Sequence, residues 1–257
     1  MNKGTEAGTK EEILLVIELN KKTNNELWKN LNLSKDNRYA IHLNEKKFSD
    51  MHGIKIQPKA DLYIAEGKLP ESFLSSKDYY LCEKDFNRLP LKTIETTGIS
   101  VKMRTSNSFT YTKISPSTFY RVFSSFELGC GASLFVLKES EITKNELVIK
   151  GWNTDKESMY NFFSREIKNL SKEYMSDRLE LKKIKEFSNK LIKEKIMNEK
   201  TISNFIFFGI GTFEEPYTAP WIFLDGKTIE KNEIPNDFTV TTGSGRSRGD
   251  FTIVIKP

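Results

Sequence analysis

Apolar positions along the chain recur in two periods. Over residues 10–22, Ile13, Leu14, Ile17 and Leu19 fall on one face at helical spacing. Thr9 is the expected cap of that helix, with Glu12 at the capping-box position. A shorter helix is expected around Asn25–Leu31, carrying Leu27, Trp28 and Leu31. The period then shortens. Lys59-Ala-Asp-Leu-Tyr-Ile64 reads as a strand that follows Pro58, with strand residues over 61–65. Gly98-Ile-Ser-Val-Lys-Met-Arg104 reads as a second strand, with Ile99, Val101 and Met103 on one face and Ser100 and Lys102 on the other. A third strand is expected near residues 109–114. Ser115 caps and Pro116 opens a helix, Pro116–Leu128, which shows Phe119, Val122, Phe123 and Phe126 and stops at Gly129. Ala132–Leu137 reads as a buried strand.

Residues 155–197 return to the helical period. Met159, Phe162, Phe163, Ile167 and Leu170 follow it, as do Leu181, Ile184, Phe187, Leu191 and Ile192 after a break near Met175–Ser176. From Asn204 the pattern turns to β, over Phe205–Ile210, Trp221–Leu224, Phe238–Thr242 and Phe251–Lys256. This order predicts an α/β (α+β) fold, a mixed sheet flanked by helices with extra carboxy-terminal strands. It is expected as a single domain over residues 1–257, with a core at about 1–140, a helical segment at about 155–197 and a β-rich region at about 204–257.

Composition narrows the chemistry. The chain has 257 residues, 37% hydrophobic and 29% charged, with 18 Phe, so a substantial core is expected and gross disorder is not. No apolar run approaches the length of a membrane span, and no signal peptide is read at the amino terminus. Cys82 and Cys130 are outside any metal-binding spacing, which fits a reducing, cytoplasmic setting. With only His42 and His52, a zinc finger is excluded and a His-rich metallohydrolase is disfavoured. There is no phosphate-binding glycine loop and no dinucleotide fingerprint. Carboxylates, lysines and hydroxyls are left to carry any catalysis. A net charge of +5 is compatible with a polyanionic partner without requiring one.

Asp61 at the start of one strand and Lys102 on the polar face of the next can meet if the strands are neighbours. A carboxylate that holds a divalent cation and an ammonium that faces a phosphate are what metal-dependent phosphodiester hydrolysis needs. The alternative is a turn aspartate and a solvent-facing strand lysine. Thr241-Thr-Gly-Ser-Gly-Arg-Ser-Arg-Gly-Asp250 offers Arg246 and Arg248 on a glycine-rich loop between strands, suited to base edges or phosphates, or else simply a polar turn. Ser106, Asn107, Ser108, Tyr111 and Lys113 either contact a nucleic-acid backbone or form a hairpin loop. Glu214-Glu215 is read as a loop, with Tyr217 and Trp221 nearby leaving glycan or base stacking open.

Pro58-Lys-Ala-Asp61 followed by Ser100-Val-Lys102 resembles the active site of the PD-(D/E)XK nuclease superfamily, specifically its type II restriction endonucleases. The resemblance covers roughly residues 1–130. It implies a restriction-endonuclease-like fold and Mg²⁺-dependent, sequence-specific cleavage of double-stranded DNA. It also implies a homodimer on a palindromic site and a cognate DNA methyltransferase acting on the same site. Asp61 would ligate the metal, Lys102 would assist the attacking water, and Ser100 would line the site. The sequence departs from the family pattern twice: Pro58 is not adjacent to the aspartate, and Ser100 stands where the second acid is usual. Another carboxylate would then complete the metal site. The candidates, in order, are Glu127, Glu12 and Glu71, with Glu6 too near the chain end. Two rivals stay open: a non-catalytic DNA-binding protein with a nuclease-like fold, and a carbohydrate- or peptide-binding α+β protein.

Overall fold

A computed structural model of the chain describes residues 3–43, 58–102, 109–136, 144–209, 218–224, 226, 228–242 and 251–257, with side chains from residue 8 onward. The chain divides into two compact units, Met1–Phe109 with Phe207–Ile234, and Thr110–Ile206 with Pro235–Pro257.

The first unit is built on a mixed sheet. Strands β1 (Arg38–His42), β2 (Leu62–Glu66), β4 (Ile99–Val101), β6 (Trp221–Leu224) and β7 (Thr228–Lys231) lie in that order, and β3 (Lys92–Thr93) pairs with β2. The β4–β6 pair is parallel and the others are antiparallel. The composition of β2 follows from burial on both faces. Leu62 and Ile64 pack with Leu15, Val16 and Leu19 of helix α1 (Lys3–Lys21) and Leu27 and Trp28 of α2 (Asn25–Asn30). Tyr63 and Ala65 pack on the other face with Leu74 of α3 (Glu71–Ser76), Leu81 and Leu91. Alternate residues of a strand point to opposite faces, so a strand covered on both sides reads as a continuous apolar run. Helix α4 (Glu83–Arg88) follows on the same side as α3, where Phe86 packs beside Tyr63.

The second unit holds an antiparallel sheet, β5 (Thr112–Ile114), β9 (Ile253–Lys256) and β8 (Thr239–Thr242), in the order β5-β9-β8. Its helices are α5 (Pro116–Phe123), α6 (Phe126–Ser133), α7 (Asn145–Gly151), α8 (Lys156–Phe163) and α9 (Arg178–Asn198), and α10 (Lys200–Phe208) leads back into the first unit. Helix α6 is buried from Leu128 to Ser133. Its glycines admit close neighbours: the Trp152 ring stands where a Cβ on Gly129 would be, and Ser188 and Phe163 where one on Gly131 would be. Among the described residues, no helix is long and apolar enough to cross a membrane.

The expected fold class, a mixed sheet flanked by helices with further carboxy-terminal strands, is what the structure shows. Several element assignments change. Helix α1 begins at Lys3, so Thr9 lies inside it rather than capping it. The expected helix Pro116–Leu128 is two helices, separated where Ser124 takes a left-handed φ of 56° and Ser125 caps the next through Leu128 N–H. The second runs through Gly129 because the residue yields space to Trp152 rather than ending the turn. The described part of Ala132–Leu137 is the end of α6 and an irregular segment, not a strand. The Asn145 side chain satisfies both main-chain groups of Phe135, as a neighbouring strand would have done. Phe205 to Phe208 is helical, since Ile202, Phe205 and Ile206 are buried at helical spacing. The strand expected near 109–114 is β5, paired with β9 in the second sheet.

Gly98 sets the spacing of β4 and β6. Its carbonyl accepts a 3.2 Å bond from Trp221 N–H, and an added Cβ would run into the Thr218 carbonyl oxygen and come within 3.0 Å of Ala60 Cβ. Main chain cannot swing aside as a flexible side chain can. Gly98→Ala is therefore expected to cost about 1–3 kcal/mol, the usual range for overpacking. Urea denaturation measures it, and a midpoint equal to that of the wild type would show that the strands tolerate the methyl group.

Candidate active site

Three strand ends meet at one edge of the first sheet. β1 ends at His42, β2 starts directly after Asp61, and β4 ends directly before Lys102. The registers His42 to Leu62 and Leu62 to Ile99 bring these ends level. Main-chain bonds continue the sheet past the strand ends: Leu43 N–H donates to Asp61 O at 2.8 Å, and Asp61 N–H donates to Ile99 O at 2.8 Å. Lys102 N–H donates to Phe223 O at 2.9 Å. The backbone around each reactive side chain is thereby fixed by sheet bonds rather than left to a loop.

Asp61 is held by the β4 backbone. Its Oδ2 accepts Val101 N–H at 2.6 Å and the Ser100 hydroxyl at 3.3 Å. Ser100 is buried, 3% exposed, so its hydroxyl serves the carboxylate rather than solvent. Helix α1 presents Glu12 to the same place, where its Oε2 lies 3.0 Å from Nε2 of the buried His42. Val16 and Leu19, on later turns of that helix, are in the core.

The electrostatics follow from crowding charge where water is scarce. Burial first, and the Glu12 charge second, raise the Asp61 carboxyl from 3.8 to about 6, against the opposing pull of Lys102 and of the bonds from Val101 and Ser100. Burial pushes the Lys102 ammonium below its ordinary value, while Asp61 and Glu12 pull it back up. Two carboxylates face one ammonium, so the cluster carries an excess of negative charge when all three are ionised.

Asp61, Ser100, Lys102 and Glu12 are thus brought together. Glu127, the first choice for the second carboxylate, is in the second unit at the start of α6. It accepts bonds from Ser125 and Thr154, each at 3.0 Å, and it is Glu12 whose charge acts on Asp61 and Lys102. Glu71 is exposed at the start of α3. Lys113 is exposed on β5 of the second unit, and the Tyr111 hydroxyl is raised by partial burial. Arg246, Arg248, Ser106, Asn107, Ser108, His52, Glu214, Glu215 and Tyr217, and the Glu6 side chain, lie outside the described residues. His42 was not singled out by the sequence. The alternation of Ala40 and His42 in a strand is the one signal that could have found it.

The donor set suits Mg²⁺. Among the described residues, no group of three or more His, Cys, Asp or Glu side chains is placed to hold a metal ion. Mg²⁺ is commonly bound by one or two carboxylates, with water and substrate phosphate completing its octahedron. Two crowded carboxylates, one raised to about 6 partly by the other, are a pair that a cation would relieve.

No family model matches the chain, and no curated protein matches it. Among solved structures it is similar to the restriction endonuclease MspI in complex with its cognate DNA. The identity is 12%, the TM-score 0.41, and the match covers 95% of this chain and 83% of that one. That likeness assigns neither an activity nor a residue.

Proposed function

We propose that this chain is a Mg²⁺-dependent endonuclease that hydrolyses phosphodiester bonds in double-stranded DNA, of the sequence-specific kind found in restriction systems. The observation that carries the reading is the convergence of Asp61, Glu12 and Lys102 on one sheet edge, with Asp61 pinned by Val101 and Ser100. Asp61 and Glu12 would hold the cation. When bound, it would supply positive charge to the phosphoryl oxygens and to the group leaving phosphorus. Lys102 would neutralise a non-bridging phosphate oxygen and orient the attacking water. Its lowered proton affinity brings it nearer to exchanging a proton with that water. In the displacement, the water oxygen bonds to phosphorus in line with the breaking P–O bond and releases a proton to solvent, and the departing oxygen takes one from solvent. Ser100 keeps Asp61 in place and does not touch the reacting atoms.

Recognition is assigned to Arg246 and Arg248. β8 and β9, which flank their segment in sequence, are paired up to Thr242 and Ile253. Arginine suits guanine edges or phosphates, and glycine lets backbone approach a ligand closely. Lys113 and the 106–108 segment would add phosphate contacts. A homodimer on a two-fold target and a methyltransferase for the same site complete the proposal.

Incubation of plasmid DNA with the protein in Mg²⁺, and in EDTA, tests it. Discrete fragments in Mg²⁺ alone are expected. Retarded but uncut plasmid would replace the reading with a DNA-binding protein lacking catalysis, and no effect on plasmid would leave neither.

A further inference from the structure

We propose that His42 is a positioning residue, which holds the Glu12 carboxylate where it can share a cation with Asp61; this rests on the nuclease reading above. Glu12 has a long side chain, 22% exposed, on a helix near the chain's beginning. Such a side chain samples several rotamers unless something fixes it. His42 supplies the restraint, with Nε2 3.0 Å from Glu12 Oε2. An ionised carboxylate only accepts, so Nε2 carries the hydrogen. Glu12 Oε1 and Asp61 Oδ1 take no part in the bonds that fix their partner oxygens.

The restraint is built from both sides. The His42 main chain is tied to the sheet: its N–H donates to Tyr79 O at 2.8 Å, its register partner is Leu62, and the next residue donates to Asp61 O. The imidazole therefore moves with the Asp61 peptide. On the helix side, Asn20 lies two turns beyond Glu12, eight positions on and so on the same face. Its amide donates to Val16 O at 2.9 Å and to Ala40 O at 2.8 Å, and its carbonyl accepts Ala40 N–H at 3.0 Å. Ala40 and His42 share a face of β1. Helix and strand are thus clamped at two points along one line, Asn20 to Ala40 and Glu12 to His42. The first clamp fixes the height of the helix and the second fixes the carboxylate. Histidine bonded to a metal-facing carboxylate acts as an outer-shell partner, and loss of such partners costs about 10–100-fold in metal affinity or activity.

Mn²⁺ binding to the whole protein, followed by the loss of the free-ion electron paramagnetic resonance signal, is the test. His42→Leu removes the donor at similar volume, and His42→Gln keeps one. Expected is Mn²⁺ binding about 10–100-fold weaker in His42→Leu, largely restored in His42→Gln. Plasmid cleavage by His42→Leu should recover as Mn²⁺ is raised, whereas Asp61→Ala should not. A second measurement needs no folded leucine variant. The chain has two histidines, so the ¹⁵N signal missing from His42→Gln is that of His42. Titration of the wild type with Mg²⁺ should shift its Nε2 resonance. Wild-type binding and cleavage, with unchanged affinity in a folded His42→Leu or an unmoved Nε2 resonance, would overturn the role of His42 alone. A wild type that neither binds Mn²⁺ nor cuts DNA would overturn the nuclease reading and this inference with it.

Discussion

Replacement of Lys102 by Ala, or of Asp61 by Ala, is expected to reduce Mg²⁺-dependent plasmid cleavage by about 10²–10⁴-fold, the range for loss of a positioned acid–base group. The two losses have different causes. Without Asp61 the cation loses its best-fixed oxygen donor, the one held by Val101 N–H at 2.6 Å. Without Lys102 the phosphate would lose the positive charge that acts on Asp61, and the water its orienting group. Both side chains project from ends of paired strands, and Lys102 N–H to Phe223 O is a main-chain bond that alanine keeps. Circular dichroism and thermal melts should therefore find the variants folded. Because the groups act as a unit, the double variant should be little worse than either single one. Turnover near the wild-type rate in either single variant would remove that residue from the chemistry.

Asp61→Asn separates chemistry from stability. It should also abolish cleavage, yet make the protein more resistant to urea at pH 8. The fold raises the carboxyl to about 6, whereas the unfolded chain leaves it near 3.8. Between those values the folded state binds the proton that the unfolded state has lost, so stability declines as pH rises from about 4 to about 6. Above that window the cost of the buried charge is carried in full. A tenfold difference in proton affinity between the two states is worth about 1.4 kcal/mol, which puts the deficit on the order of 2–3 kcal/mol. Asparagine removes the charge and can still accept the Val101 N–H. Urea denaturation at pH 8 and at pH 4.5 should show an advantage for Asp61→Asn that shrinks at the lower pH. Added Mg²⁺ should narrow the gap at pH 8 by stabilising the wild type alone. An equal difference at both pH values would mean that the carboxylate is not destabilised in the fold.

Much of the site was legible because it is written in short strands. Asp61 and Lys102 sit beside runs whose alternation is plain, Leu62 to Ile64 and Ile99 to Val101, and the two strands are neighbours as the pattern required. Glu12 was among the candidates because it sits on the first helix, which the resemblance implies packs beside the strands that carry Asp61 and Lys102. That its charge acts on Asp61 and Lys102 was not legible, since it depends on how α1 packs on the first sheet. Residue spacing around 116–128 could not tell one helix from two, and so placed Glu127 at the wrong end of a helix. His42 was hidden for a similar reason. β1 is five residues long and carries Arg38 and His42 at its ends, so its apolar signal is weak until the pairing with β2 is seen. Glycines misled where they made room for rings, as at Gly129, rather than ending a helix.

The parallel pairing of β4 with β6 has a consequence for how the molecule is made on the ribosome. Trp221 Nε1 donates to Thr96 O, 125 positions earlier, and Lys102 N–H waits for the carbonyl of Phe223. A nascent chain that has emerged only as far as Phe109 holds Asp61, Glu12 and Lys102 but leaves β4 with one bare margin. The whole of Thr110–Ile206 must be translated before Trp221–Leu224 can dock there. Contacts so distant in sequence form late and slowly. The lysine is thus anchored only once Phe223, 121 positions later, has been made, so its end of β4 matures well after the lysine itself is synthesised.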